Sequence, residues 1–219
     1  MVYNEETVKN AIKELKDSSK KRNFSESYDL TINVKDIDLK QTANQLEFPV
    51  HLFKESGKVK TFCAFVDHGV AESIRQDIDV ILDSDFNNFQ GKSKECKQLA
   101  EKYDFFLAQA NLMGKVASIF GKYLGPRKKM PNPKLGGVIS AKTDIVALKE
   151  SLAKTSMFSL KKGPCVHIKI GDDSMDEADL VKNVKVVYDT VIQHLPLHEN
   201  NIKTIYLKKT MSKAVKLNI

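Results

Sequence analysis

Residues 61–66 read TFCAFV, an apolar run with no charged residue in it. A run of that length without polar alternation is the pattern of a strand buried on both faces, as in a parallel sheet covered by helices. It is followed by short apolar strands, Val80–Leu82 and Phe105–Ala108, alternating with helical patterns at Val70–Arg75, Ser93–Tyr103 and Leu112–Leu124. That order predicts βαβ units and a parallel α/β domain. Asn111 is placed to cap the helix that opens at Leu112. Beyond a basic loop, Thr143 is placed to cap one more, carrying Ile145, Leu148 and Leu152.

Upstream the pattern differs. Val8, Ala11, Ile12 and Leu15 recur at helical spacing after Asn4, a cap residue, so residues 5–17 read as a docked amphipathic helix. A short basic hinge, Lys20, Lys21, Arg22 and Asn23, leads to Phe24. Then Tyr28, Leu30, Ile32 and Val34 alternate with Asp29, Thr31, Asn33 and Lys35 as in a half-buried antiparallel strand. A second alternation, Leu46, Phe48, Val50 and Leu52, is expected to pair with the first, and Pro49 puts it at an edge.

Downstream the antiparallel signals return. Met157, Phe158 and Leu160, the turn KKGP at 161–164, and Val166, Ile168 and Ile170 read as a hairpin. Ser174 and Glu177 have capping-box spacing ahead of a helix carrying Leu180, Val184, Val187 and Val191. Ile202–Lys209 and Ala214–Ile219 form a last strand pair joined by Thr210, Met211 and Ser212. Neither terminal piece has enough chain for a comfortable core, but together they give one antiparallel sheet backed by two helices. The expected organisation is therefore a discontinuous α+β outer domain, residues 1–59 plus 155–219, with an α/β domain, 60–154, inserted into it.

The chain of 219 residues carries a net charge of +7, which favours RNA, DNA or an anionic membrane as partner over an acidic protein. The charge is uneven: zero for residues 1–59, +4 for 60–154 and +3 for 155–219. Between Asp104 and Asp144 there is no acidic residue, while Lys115, Lys122, Arg127, Lys128, Lys129, Lys134 and Lys142 supply seven cations. Such a run binds phosphate backbones or is simply solvated. No apolar run reaches the ~20 residues of a bilayer span, and the N-terminus lacks a signal-peptide pattern, so a cytoplasmic protein is expected. Cys63, Cys96 and Cys165 form no C-x-x-C pair and read as reduced structural thiols. His194 and His198 are separated by Pro196, with nothing nearby to complete a metal set. Gly114, Gly121 and Lys122 do not have P-loop spacing, and no nucleophile–base set is marked; neither an enzyme nor a cofactor is expected.

The strings KRNFSESYDLTINVKDID (21–38), KYDFFLAQANLMGKVASIFGKYLGP (102–126), LGPRKKMPNPKLGG (124–137) and IYLKKTMSKAVKL (205–217) together resemble the ribosomal protein L-one family, the proteins of the mobile large-subunit stalk, in the archaeal form. The resemblance implies a split β-α-β outer domain made of both termini, a three-layer Rossmann-like insert, and hinges near Lys58–Lys60 and Lys154–Ser156. It also implies binding to large-subunit ribosomal RNA, assistance to deacylated tRNA leaving the exit site, repression of the protein's own mRNA, a ribosome-associated cytoplasmic location, and a monomer off the ribosome with no membrane partner. The implied RNA-contact residues are Phe24 and Ser27 on the first strand and Thr210, Met211 and Ser212 in the terminal turn. Ser212 and Lys213 stand where the family usually has Gly and Pro, so a turn that needs positive φ would be strained there.

Physical chemistry independently suits these residues. A hydroxyl and free backbone N–H groups at a tight turn can bond phosphate or a 2′-hydroxyl. Phe24, next to Arg22 and Asn23, either stacks on a nucleotide or belongs to the core with Met211. His167 and Lys169 alternate away from the apolar parity and either join the RNA face or are solvated. Lys122, Arg127, Lys128, Lys129 and Lys134 form a secondary basic loop. The alternative function is a generic DNA- or chromatin-binding protein using that loop.

Overall fold

The computed structural model describes residues 4–20, 22–57, 59–75, 77–140, 143–161 and 163–217, apart from the side chains of residues 43 and 73. The hinge residue Lys58, Lys21 of the basic hinge, Lys142 of the basic run and Lys162 of the 161–164 turn lie outside these. In chain order the first stretch contributes α1 (Glu5–Ser18), β1 (Ser27–Val34) and β2 (Leu46–His51). The middle stretch contributes β3 (Phe62–Val66), α2 (His68–Ile74), β4 (Asp79–Leu82), α3 (Phe86–Phe89), α4 (Ser93–Lys102), β5 (Phe105–Gln109), α5 (Met113–Leu124), β6 (Val138–Ile139) and α6 (Ile145–Ala153). The last stretch contributes β7 (Thr155–Leu160), β8 (Cys165–Asp172), α7 (Glu177–His194), β9 (Ile202–Lys209) and β10 (Val215–Leu217). The chain divides into two compact units, residues 1–58 with 154–219 and residues 59–153.

In the unit formed by the two ends of the chain, an antiparallel sheet runs in the order β10-β9-β1-β8. Asn4 Oδ1 accepts from Glu6 N at 2.9 Å and starts α1, whose Val8, Ala11, Ile12 and Leu15 are buried. They share one core with Tyr28, Leu30 and Ile32 of β1 and with Leu180, Val184, Val187 and Val191 of α7. One face of the sheet is thus covered by two helices.

The middle unit is a parallel sheet in the order β4-β3-β5-β6, helices on both faces. Alternate residues of β3 serve two cores. Phe62, Ala64 and Val66 pack with Val70, Ala71 and Ile74 of α2 and Ile145 and Leu152 of α6, whereas Cys63 and Phe65 pack with Phe86, Ala100, Val116 and Phe120 of α3, α4 and α5. All five residues of the strand are buried, which explains the unbroken apolar run. Burial pushes the Cys63 thiol up to about 12.

Several expectations are corrected. β2 does not pair with β1 but with β7, antiparallel, Leu46 opposite Leu160 and Phe48 opposite Phe158. Both edges of β1 are already occupied by β8 and β9, so no edge remains for β2. For the same reason β7 and β8 are no hairpin: they lie in different sheets, and Pro164 O accepts from Val34 N instead of closing a turn between them. Phe48 stacks on Phe158 at 4.6 Å and on His194 at 3.9 Å, so the β2–β7 ribbon is held by ring contacts as well as its ladder.

Three caps differ too. Asn111 donates to Asp67 Oδ2, at 2.9 Å. Thr143 bonds Ser140, and Asp144 Oδ1 instead accepts from Val146 N and Ala147 N to start α6. The Ser174–Glu177 capping box is absent: Met175 N bonds Asp172 O, α7 starts only at Glu177, and that carboxylate takes Lys16 at 2.9 Å. Cys165 is exposed, unlike Cys63 and Cys96, so it has no structural burial.

Candidate nucleic-acid interface

Because β1 lies between β8 and β9, its outward parity is framed on both sides. Asp29 is opposite Lys169 on β8 and Lys208 on β9. Thr31 is opposite His167 and Tyr206, with Lys216 of β10 beyond Tyr206, and Asn33 is opposite Cys165 and Thr204. Thr31 Oγ1 and His167 Nδ1 are 3.0 Å apart, and Asn33 Nδ2 donates to Thr204 Oγ1 at 2.8 Å. The outward face therefore carries lysines, one carboxylate, and a histidine and tyrosine in one cross-strand row. Burial raises the Asp29 carboxyl above its usual range, against the opposing pull of Lys208, Lys169 and His167.

At one end of this face the β9–β10 turn is fastened to the start of β1. Thr210 N donates to Ser27 O at 3.1 Å, and Thr210 Oγ1 accepts from Ser27 N at 3.0 Å and lies 3.1 Å from Ser27 Oγ. Met211 N donates to Glu26 Oε1 at 3.2 Å. The side chains beside these bonds project outward: Phe24 is 53% exposed and Met211 59%. Neither belongs to the core. Ser212 does not have positive φ, so the expected strain is absent; its Oγ instead accepts from Lys209 N at 2.8 Å and closes the turn. A serine does by side-chain bonding what a glycine would do by backbone freedom.

Beneath the turn lies a buried charge cluster. Lys209 and Glu26 are each 3% exposed. Lys209 Nζ is 2.9 Å from Asp173 Oδ1 and 3.4 Å from Glu26 Oε2, donates to Ser19 Oγ at 3.2 Å, and sits 5.6 Å from the Tyr28 ring centre. Tyr28 donates to Asp173, and burial, followed by the Asp173 charge, pushes its phenol well up. Each carboxylate therefore has a cation, and the cation has two carboxylates, which is what makes charge tolerable at this depth. Glu26 links the cluster to the surface, since its other oxygen holds Met211 N.

The residues singled out from the sequence fall into two groups. Arg22, Asn23, Phe24, Ser27, His167, Lys169, Thr210, Met211 and Ser212 are all in the unit of the chain ends, on the outward sheet face or around the turn. Lys169 is partly tied, 2.9 Å from Asp172. The loop residues lie in the other unit, where much of their charge is already used. Arg127 pairs with Glu101 at 2.6 Å, Lys115 with Asp83 at 2.7 Å, and Lys129 Nζ donates to Ala100 O and Tyr103 O at 2.9 and 2.8 Å. Lys122, Lys128 and Lys134 are exposed.

Sequence reasoning missed Lys209, Glu26 and Asp173, and on the face Lys208, Tyr206 and Lys216. For Lys209 a signal existed: Ile205, Leu207 and Lys209 share the buried parity of β9, so a strand-end lysine stood where an apolar residue belongs. For the face residues the signal is cross-strand register, which no single strand contains.

Among known proteins, the model of the Ribosomal protein L1p/L10e family matches residues 9–213. The chain is similar to Large ribosomal subunit protein uL1 of Pyrococcus horikoshii, 36% identical over 218 residues, 99% of this chain and 98% of that protein. The same protein of Thermococcus kodakarensis is 35% identical over 218 residues, 99% of each chain, and that of Methanothermobacter thermautotrophicus 32% identical over 215 residues, 97% of this chain and 99% of that one. These matches run through all three sheets, the turn and the basic loop, and the chain therefore belongs to the Ribosomal protein L1p/L10e family, in its archaeal form.

Proposed function

We propose that this chain is a non-catalytic constituent of the large ribosomal subunit, in the cytoplasm, and that it binds ribosomal RNA at the mobile stalk through the outward sheet face and the β9–β10 turn. The observation that carries the reading is the coincidence of exposed Phe24 and Met211 with a hydrogen-bonded Ser27–Thr210 turn at the edge of a face bearing Lys169, Lys208 and Lys216. Aromatic and thioether surface gives stacking, the Ser27 and Thr210 hydroxyls suit phosphate and 2′-hydroxyl while the turn's N–H groups are already bonded within the protein, and lysines supply counterion release. The relatives' names, Large ribosomal subunit protein uL1, support the ribosomal setting. Contact with tRNA leaving the exit site and repression of the chain's own mRNA are further roles that the family resemblance suggests; the second would reuse the same face. Off the ribosome the chain is a monomer in this reading. A generic basic-loop reading is weakened because Arg127 and Lys129 are spent on Glu101 and on backbone carbonyls.

The test is binding of the purified chain to a stalk-region ribosomal RNA fragment across a salt series, against duplex DNA of equal length. RNA-selective binding that weakens on Thr210→Ala and Phe24→Ala is expected. Equal binding to both polymers with a steep salt slope, insensitive to those changes, would overturn it.

A further inference from the structure

Between the end of α1 and the β9–β10 turn opens a cavity of about 440 Å³, in the unit of the chain ends. Lys20, Arg22 and Lys213 line it, all three exposed, and among the described residues none of them is in an ion pair. The carboxylate in its wall, Glu26, is occupied on both oxygens, by Lys209 and by Met211 N. The hydroxyls are occupied as well. Ser19 Oγ donates to Lys16 O and accepts from Lys209, and Ser212 Oγ holds Lys209 N. What remains for a ligand is therefore the positive charge of Lys20, Arg22 and Lys213, since the Lys209 ammonium is matched by Glu26 and Asp173. Apart from Met211 the lining offers no apolar plane, which disfavours a base and favours a compact anion. The carbonyl end of α1 opposes an anion here, but Lys20 sits at that end and Arg22 and Lys213 add to it.

We propose that this cavity holds a backbone phosphate of the RNA strand that passes the Thr210–Met211 turn, clamped by Lys20, Arg22 and Lys213. This rests on the RNA-binding reading above and extends its footprint from the sheet face to the end of α1. The site reads charge and not sequence. It fixes where the strand lies while the turn and the face meet sugars and bases.

The experiment uses the full chain and the same stalk-region RNA fragment, measuring affinity against salt for wild type and for the combined variant Lys20→Gln, Arg22→Gln and Lys213→Gln. A control removes the same charge elsewhere on this unit, at exposed Lys9, Lys13 and Lys185, each changed to Gln. Losing one phosphate contact flattens the slope of log affinity against log salt by about 1. The cavity variant is expected to show that change, with unaltered circular dichroism and melting, and to weaken binding by the same factor for RNAs of different sequence. The control is expected to keep the wild-type slope. A cavity variant with the wild-type slope, or a control with an equal loss, overturns the proposal while RNA-selective wild-type binding leaves the parent reading intact. Wild type that fails to prefer RNA removes both.

Discussion

Lys209→Met tests the claim that the binding turn stands on a buried charge cluster. Methionine keeps the length of the stem but removes the ammonium that serves Glu26 and Asp173. The two carboxylates fare differently. Asp173 keeps 44% of its side-chain surface in water and can rehydrate, whereas Glu26 keeps 4%. Stranding one member of a buried pair costs about 3–5 kcal/mol. Because Glu26 retains Met211 N as a partner and borders an open cavity, the lower end, about 3 kcal/mol, is expected here. Adding Glu26→Gln removes the stranded charge, so the double variant is expected to recover most of that loss, leaving about 1 kcal/mol. The chain has no tryptophan, and with two compact units a global denaturation curve would mix two transitions. Amide exchange at Leu207 and Leu30, inside the sheet concerned, reports the opening of this unit alone. RNA affinity is expected to fall with Lys209→Met, since the ammonium that ties Glu26, and through it the turn, to Ser19 and Asp173 is gone. A single variant whose amides are protected to within about 1 kcal/mol of wild type, or a double variant no better than the single, would refute the reasoning.

Three further changes probe other parts of the chain. Burial holds the Asp29 carboxyl above its ordinary range, so the native state binds more protons than the unfolded one between the two values. Stability then falls as pH rises through that window, and the charge is a net cost above it. Asp29→Asn should raise the exchange protection of β1 amides at neutral pH, lose the advantage below about pH 4, and strengthen RNA binding by removing the carboxylate between Lys169 and Lys208. Asn183 is fully buried, accepts from Lys54 N, and donates to Lys54 O and Ile170 O, so Asn183→Ala leaves the buried Ile170 carbonyl without this donor and frees two backbone groups of exposed Lys54, which can rehydrate; a loss of about 1–3 kcal/mol is expected in the exchange of β8 amides. Lys129→Met should destabilise the middle unit, seen in exchange of α4 and α5 amides, while leaving RNA affinity unchanged, because its ammonium is bound to carbonyls at the end of α4.

What was legible in the sequence was parity and period. The 3.6-residue spacing of Val8, Ala11, Ile12 and Leu15 and the unbroken run at Phe62–Val66 each gave the element and the face it buries, because burial acts on one chain segment at a time. Pairing is different. Nothing in Leu46–Val50 says whether its ladder goes to β1 or to β7; that depends on which edges other strands have taken, a property of the assembled sheet. Caps failed for a related reason. Ser174, Thr143 and Asn111 have suitable side chains at suitable spacing, but Asp144 accepts the α6 amides in place of Thr143, and Asn111 donates its own side-chain amide to Asp67, choices set by local geometry.

The same distinction separates the two basic regions. The run from Lys115 to Lys134 is conspicuous because its cations are consecutive in the chain, yet Lys115, Arg127 and Lys129 bind Asp83, Glu101 and the α4 carbonyls. A dense local run also brings its charges near the acidic side chains and helix ends of its own domain, where pairing lowers their free energy before any partner arrives. The sheet face is inconspicuous because Lys169, Lys208 and Lys216 come from three strands and meet only through register. There Lys208 and Lys216 stand on the outward parity, Lys169 beside them is partly tied to Asp172, and Asp29 is the carboxylate set among them. An interface for a polyanion needs cations that folding has left unspent, so sequence density of charge points to the middle unit while the geometry of the sheet and turn points to the unit of the chain ends.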